Sequence, residues 1–156
     1  MKELEYPFDA AYIIKKRKSL KKALLADGTS RIRKKIAVFG GSTTSDIVKT
    51  LELFLLDAGI EPEFYESEYA QYFQDAMFPD ETLLSFKPDI VFIHTTNRNV
   101  TDWPEMTDTT EQIDEKLHTE INRFTAMWKS IAEKFHCPIT VSYTHLRAHE
   151  TRHDLV

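Results

Sequence analysis

Lys35-Ile36-Ala37-Val38-Phe39-Gly40-Gly41-Ser42-Thr43-Thr44-Ser45-Asp46-Ile47-Val48 reads as a strand, a tight turn and the start of a helix. Ile36 to Phe39 form a short apolar run, two glycines break it, and Ile47, Leu51, Phe54, Leu55 and Ala58 then recur at helical spacing. Thr44 or Ser45 caps that helix, Asp46 suits its dipole, and Gly59 ends it in the left-handed position. Such a turn lies at the carboxyl end of a sheet strand, where open α/β folds place ligands, and its N–H groups can receive an anion or oxyanion. Ser42 is therefore the first candidate for chemistry, with Gly40, Gly41, Thr43 and Thr44 around it; its other reading is an ordinary capping serine in a loop.

Outward from the turn, Pro62-Glu63-Phe64-Tyr65-Glu66 alternates as a second strand, and the aromatic-rich segment Tyr69 to Phe78 is closed by Pro79-Asp80. Ile90-Val91-Phe92-Ile93-His94 is continuously apolar, as expected of a parallel strand covered on both faces. It runs into the polar loop Thr95-Thr96-Asn97-Arg98-Asn99, on the same sheet edge as Ser42. From Thr110, Ile113, Leu117, Ile121, Phe124, Trp128, Ile131 and Phe135 step by three and four, making the strongest helix of the chain. Thr109 or Thr110 with Glu111 starts it, and Pro138 stops it before a fourth strand at Ile139. The order predicts an α/β fold: a doubly wound, mostly parallel sheet with right-handed crossovers.

The chain has 156 residues, 42% of them hydrophobic, enough for one domain with a real core. No apolar run has membrane-spanning length, and the start lacks a signal peptide's order, which predicts a cytoplasmic protein with no membrane partner. The lone Cys137 beside Pro138 fits a reducing compartment and gives no cysteine metal cluster. The net charge of −5 hides an asymmetry: residues 1–35 hold eleven Lys/Arg against four Asp/Glu, so they carry +7 and the remainder −12. Lys15-Lys16-Arg17-Lys18-Ser19-Leu20-Lys21-Lys22 lies in a helix from Asp9 to Ala26, with Tyr12, Ile13, Leu20, Leu24 and Leu25 as its apolar stripe. That face is either solvated or a dock for an acidic partner; without interleaved aromatics, nucleic acid is disfavoured.

The turn lacks the Gly-Lys-Ser/Thr of a P-loop, the spaced glycines of a dinucleotide fingerprint and the last glycine of a Gly-x-Ser-x-Gly elbow. A serine after strand one and an asparagine after strand three together resemble the SGNH (GDSL-type) hydrolases. That resemblance implies Ser42 as nucleophile toward an acyl ester and Asn97 as oxyanion donor. Gly41 stands where that family has an aspartate, and no Asp-x-x-His supplies the base. His94 reads either as a group oriented toward Ser42 or as a hydrogen-bonded structural histidine, and Arg98 as a partner for carboxylate or phosphate beside Asn97. Glu66 and Glu68 read as solvated carboxylates, His118 and His136 as surface residues, and Trp103 and Trp128 as packing residues.

The helix Lys15 to Leu25, the block Ile36 to Thr44, the segment Phe64-Tyr65-Glu66-Ser67-Glu68-Tyr69-Ala70-Gln71-Tyr72 and Phe86-Lys87-Pro88-Asp89-Ile90-Val91-Phe92 together resemble the N-terminal domain of FkbH-like proteins. There an SGNH-like (flavodoxin-like) domain precedes a haloacid-dehalogenase-type domain, subfamily IIIC, with an Asp-x-Asp-x-Thr motif and Mg²⁺. In the polyketide branch that domain loads a glyceryl unit onto an acyl carrier protein, and other members accompany surface-polysaccharide and secondary-metabolite genes. No Asp-x-Asp-x-Thr occurs in this sequence. The resemblance therefore implies an accessory domain only: no cofactor of its own, Mg²⁺ on the missing HAD-type domain, and that domain and an acyl carrier protein as partners.

Ser142 to Val156 resembles, nearly word for word, translated sequencing-adapter DNA, so the ladder His145, His149 and His153 is set aside as a metal site. The expected division is a basic helical segment at 1–34, an α/β domain at 35–140 that is incomplete at its C-terminus, and a non-native tail at 141–156. A sheet lacking strands exposes an unpaired edge, which predicts poor stability or aggregation.

Overall fold

In the computed structural model, which describes residues 1–144, the strand that opens the Gly-Gly-Ser turn is β1, Ile32–Gly40. It begins earlier than its apolar run because Ile32 to Lys35 pair with Ile60 to Glu63 of the neighbouring strand. Around it lie α1 (Ala10–Ala26), α2 (Ser45–Asp57), β2 (Ile60–Glu66), α3 (Tyr72–Met77), α4 (Glu81–Phe86), β3 (Ile90–Thr96), α5 (Thr110–Phe135) and β4 (Ile139–Thr144), with 3-10 turns at Lys2–Leu4 and Asn97–Asn99. The strands form one sheet in the order β2-β1-β3-β4, and every pair is parallel. The expected α/β architecture is thus found, with a sheet parallel throughout its described strands.

Side chains alternate across a strand, so β1 and β3 feed two cores. Ile36, Val38 and Phe92 pack with Val48 and Leu55 of α2 on one face. Ala37, Phe39, Val91 and Ile93 pack on the other with Ala76 of α3, Leu83 of α4 and Met127 and Ile131 of α5. Helix α1 packs on α2 rather than in this sheet core. Its Ile13, Leu20 and Leu24 bury against Leu53 and Leu56 of α2, whereas Tyr12 and Leu25 stay exposed, so the stripe is narrower than the sequence suggests. Arg17 and Lys21 reach α2 through ion pairs with Asp46 at 3.0 Å and Glu52 at 2.7 Å. Arg31 closes the end of the pair by donating to the carbonyls of Leu24 at 2.7 Å and Leu56 at 2.9 Å, in the last turns of the two helices.

Three local outcomes differ from the sequence reading. Helix α4 follows Pro79-Asp80, which reads only as a stop; six residues are too few to show a period, and Asp80 caps it by accepting the Leu83 amide at 2.8 Å. Thr109 caps α5 in a reciprocal box with Gln112 rather than Glu111. The regular stripe of α5 is buried only in part: Met127 and Ile131 lie in the core, while Ile113, Leu117 and Ile121 are exposed. Residues 142–144 complete β4, and the adapter-like stretch from residue 145 onward, with its three histidines, lies outside the described residues. Among the described residues no helix is long and apolar enough to cross a membrane.

Candidate functional site

The turn after β1 is held from both sides. The Gly41 amide donates to the His94 carbonyl at 2.8 Å, continuing the β1–β3 ladder one step beyond the strand, so this N–H is not free for a ligand. The Gly41 carbonyl accepts from Asn99 Nδ2 at 2.8 Å. A Cβ on Gly41 would overlap the Asn99 amide, and one on Gly40 would overlap Thr44 Cγ2 and the Ser42 carbonyl. Both glycines are there for close approach.

Thr44 occupies the N-cap of α2 without capping it. Its buried hydroxyl donates instead to Glu66 Oε2 at 3.1 Å, joining the turn to the end of β2. Ser42 is half-buried and Thr43 exposed. Among the described residues, the amides of Ser42, Thr43 and Thr44 and the Ser42 hydroxyl meet no protein partner. Beside them, Ser67 at the end of β2 keeps a buried hydroxyl without a partner. The edge therefore offers several donors, with the Glu66 carboxylate bonded to Thr44 and Asp46 in the first turn of α2.

The other candidates divide between the two faces. His94 is 8% exposed on the α2 face, stacked on Phe92, with Nδ1 3.2 Å from Ser142 Oγ. Burial lowers its pKa, which favours the neutral imidazole. Asn97 lies on the other face, lining a cavity of about 400 Å³ with Thr95, Val100, Phe124, Trp128 and Val141. Its walls are largely apolar, and none of residues 40–45 lines it. Arg98 is exposed, its amide held by Thr96 Oγ1 at 3.2 Å, and its guanidinium has no ion pair among the described residues. The structure thus brings Asn99, and not Asn97, against the turn.

Asn99 is itself locked in place. Its Oδ1 accepts the Thr96 amide at 2.7 Å within a capping box, and its carbonyl accepts from Arg123 Nη2 at 2.5 Å. Arg123 also grips Glu120 through Nη2 at 2.8 Å and Nε at 3.2 Å and stands over the Phe73 and Phe124 rings. Glu120, 6% exposed, accepts further from the amide of Thr101 at 3.2 Å and from its hydroxyl. These bonds hold the Glu120 carboxyl below the usual carboxylate range against its burial. Sequence reasoning missed Asn99, Glu120 and Arg123. The Thr96-x-x-Asn99 spacing is a capping signal and could have found the first; the i,i+3 spacing of Glu120 and Arg123 marks a helix ion pair but not its place beneath the turn.

Trp103 and Trp128 are not core residues, being half or more than a third exposed. Glu66 has Thr44 as its partner and Glu68 has Gln71 at 3.3 Å, while His136 is the exposed left-handed cap of α5. Among the described residues no group of three or more His, Cys, Asp or Glu is placed to hold a metal ion.

Fold and edge together define a doubly wound parallel α/β domain with a Gly-Gly-Ser turn clamped by an asparagine. No protein-family model and no curated protein matches the chain. The fold is similar to the crystal structure of the N-terminal part of the protein BF1531 from Bacteroides fragilis, which contains a phosphatase domain and is complexed with Mg, at a TM-score of 0.65 and 17% identity. The match covers 85% of this chain and 34% of that one, so the likeness is one of fold and the chain spans about a third of its neighbour.

Proposed function

We propose that this chain is an accessory, SGNH-like domain of an FkbH-like protein of secondary-metabolite or surface-polysaccharide biosynthesis. Its role is to bind an acyl or carrier-linked group at the sheet edge while a HAD-type domain elsewhere in the protein performs the Mg²⁺-dependent chemistry. The observation that carries it is the likeness in fold to the N-terminal part of a phosphatase-domain protein of which this chain spans a third. The edge fits a binding role better than a hydrolytic one. Among the described residues Ser42 has no base within its hydrogen bonds, and the Gly41 amide is spent on the ladder.

The second reading is an esterase or acyltransferase with Ser42 as nucleophile, favoured by the unpartnered amides of Ser42 to Thr44, which could face an oxyanion. Assaying the chain and its Ser42→Ala variant against p-nitrophenyl acyl esters separates the two. The accessory reading expects equal, background turnover, and Ser42-dependent turnover overturns it. Titration with an acyl-pantetheine thioester, read by amide NMR shifts, is expected to perturb residues 40–45 and 95–99; a spectrum that does not change removes acyl binding from the proposal.

A further inference from the structure

We propose that the outer face of α1 is a membrane-docking face, which lies flat on a bilayer rich in anionic lipid with Lys15, Lys18 and Lys22 at the headgroups and Phe8, Ile14 and Leu25 set in beside them. Ala10–Ala26 holds six Lys/Arg and no Asp or Glu. The fold uses two of the six, Arg17 on Asp46 and Lys21 on Glu52. Lys15, Lys16, Lys18 and Lys22 are exposed and have no ion pair among the described residues. Lys15 and Lys22 stand three residues before and four after Lys18, so the three form one stripe of like charges, a spacing that costs helix stability. The fold gains nothing from that stripe, and an anionic surface would.

Apolar groups accompany the lysines on the same side. The core stripe of α1, Ile13, Leu20 and Leu24, faces α2, yet Ile14 is 60% and Leu25 53% exposed. Ile14 lies four residues before Lys18 and Leu25 seven after it, which puts both on the flank of the lysine stripe. Lys18, Lys21, Lys22 and Leu25 line an open hollow of about 380 Å³. Ile14 lines a second, of about 460 Å³, with Ile47, Leu51 and Phe54 of α2. Phe8 rests against Phe54 with ring centroids 5.4 Å apart, and Tyr6 meets Phe8 at 6.3 Å. The sequence shows no aromatics among the lysines; the fold supplies them by laying the N-terminal segment and α2 alongside.

A bilayer fits this face better than a protein or a nucleic acid. Both hollows are open, without the deep pocket that an anchoring side chain of a protein partner fills. The rings lie at one end of the lysine stripe and not between the charges, which does not suit stacked bases. Lysines with apolar neighbours match a helix lying in the headgroup boundary, where the stems stay apolar and the ammonium groups reach the lipid phosphates. The expectation of no membrane partner rests on spanning length, and a helix that lies flat needs none. The asymmetry of charge then orients the molecule: an anionic surface attracts residues 1–35, at +7, and repels the remainder, at −12. On this side Asp46 and Glu52 are paired and Asp9 caps α1 by accepting the Tyr12 amide, so the exposed Glu3 and Glu5 are the carboxylates that work against docking.

Co-sedimentation of the 156-residue chain with vesicles tests this. Binding is expected to phosphatidylcholine vesicles containing about 30% phosphatidylserine and not to phosphatidylcholine alone, and it is expected to weaken as salt rises past about 150 mM. Replacing Lys15, Lys18 and Lys22 together by Gln is expected to lower partitioning about a hundredfold, since each lysine at such a surface contributes about fivefold. Ile14→Ser with Leu25→Ser is expected to lower it at least about tenfold with the lysines intact. All five positions are exposed, so melting temperatures are expected to stay level, and Lys129→Gln on α5 is expected to leave binding unchanged. Phe8→Trp reads insertion directly, as a blue shift of emission, relative to the parent chain, that appears with anionic vesicles. The comparison of lipids and salt uses the unaltered chain and stands even if a variant fails to fold. No binding to either vesicle, equal binding to both, an unshifted Phe8→Trp spectrum, or tighter retention on immobilised poly-glutamate or single-stranded DNA than on vesicles overturns the proposal.

Discussion

Asn99 and Gly41, 58 residues apart, form the joint between the β3–α5 connection and the Gly-Gly-Ser turn: Asn99 Nδ2 donates to the Gly41 carbonyl at 2.8 Å, and no Cβ fits between them. The joint also accounts for the glycine that departs from the resembled hydrolase pattern. An aspartate side chain at position 41 would begin inside the volume that the Asn99 amide fills.

Gly41→Ala is therefore expected to destabilise the fold by about 1–3 kcal/mol, the usual cost of forcing a methyl into a filled space. Asn99→Ala is expected to cost about 1–3 kcal/mol by leaving the Gly41 carbonyl short of its donor. The double variant removes the clash along with the amide, so its cost falls well below the sum. Thermal melts of the four proteins give the coupling directly, and simple additivity would show that the two residues do not act as a joint.

Glu120 and Arg123 carry that joint from below. Replacing Glu120 with Ala leaves Arg123 without its carboxylate in a largely buried position, and an expected loss of about 3–5 kcal/mol follows from breaking a buried pair at one end. Glu120→Gln keeps the shape and an acceptor for Thr101, so it is expected to cost less. Because the Glu120 carboxyl sits below its ordinary range, its contribution is present above the unfolded carboxylate value and is lost as pH falls through the folded one. Urea titrations of the chain and of Glu120→Gln between pH 7 and pH 3 are expected to converge at the acid end. Curves that stay parallel throughout would remove the carboxylate's role.

The parts of this fold legible in the sequence are those written in local pattern. The run Ile36 to Phe39, the period from Ile113 to Phe135 and the breaks at Gly59 and Pro138 place strands and helices within a few residues of where they lie. Residues joined only by the fold were not legible. Asn97 and Asn99 sit in one loop with the same chemistry, and the 3-10 turn decides which of them meets Gly41 and which lines the cavity. Thr44 carries every local sign of a cap, yet its hydroxyl goes to Glu66 because β2 ends alongside it. The stripe of α5 reads as a buried face throughout, and only the position of α3 and the sheet shows that its first half has nothing to pack on.

His94 gives the fold a second dependence on pH. Burial holds its folded pKa below the unfolded value of about 6.5, so the unfolded chain binds more protons in that window. The neutral form is the one the fold accommodates: stability is complete above about pH 6.5 and declines as pH falls toward the folded value. Denaturation midpoints are expected to drop between about pH 7.5 and 5.5 by more in the natural chain than in His94→Gln, which cannot titrate. Equal slopes in the two proteins would show that His94 is not the group responsible.

Ser42 and Thr44 make the last contrast, because composition treats them alike and geometry does not. The Ser42 hydroxyl holds nothing in the described structure, so Ser42→Ala is expected to shift stability by no more than about 0.5 kcal/mol, as for a side chain without buried contacts. Thr44 is buried, and its hydroxyl links the turn to Glu66 at 3.1 Å. Thr44→Val keeps the shape and removes that bond, with an expected cost of about 0.5–1.5 kcal/mol, whereas Thr44→Ser keeps the bond and loses only a methyl. If melting temperatures rank Ser42→Ala as the most damaging of the three, then Ser42 carries a structural bond that the turn geometry does not show. A ranking led by Thr44→Val leaves the Ser42 hydroxyl as a group the fold does not need, and so one that is free to face a ligand.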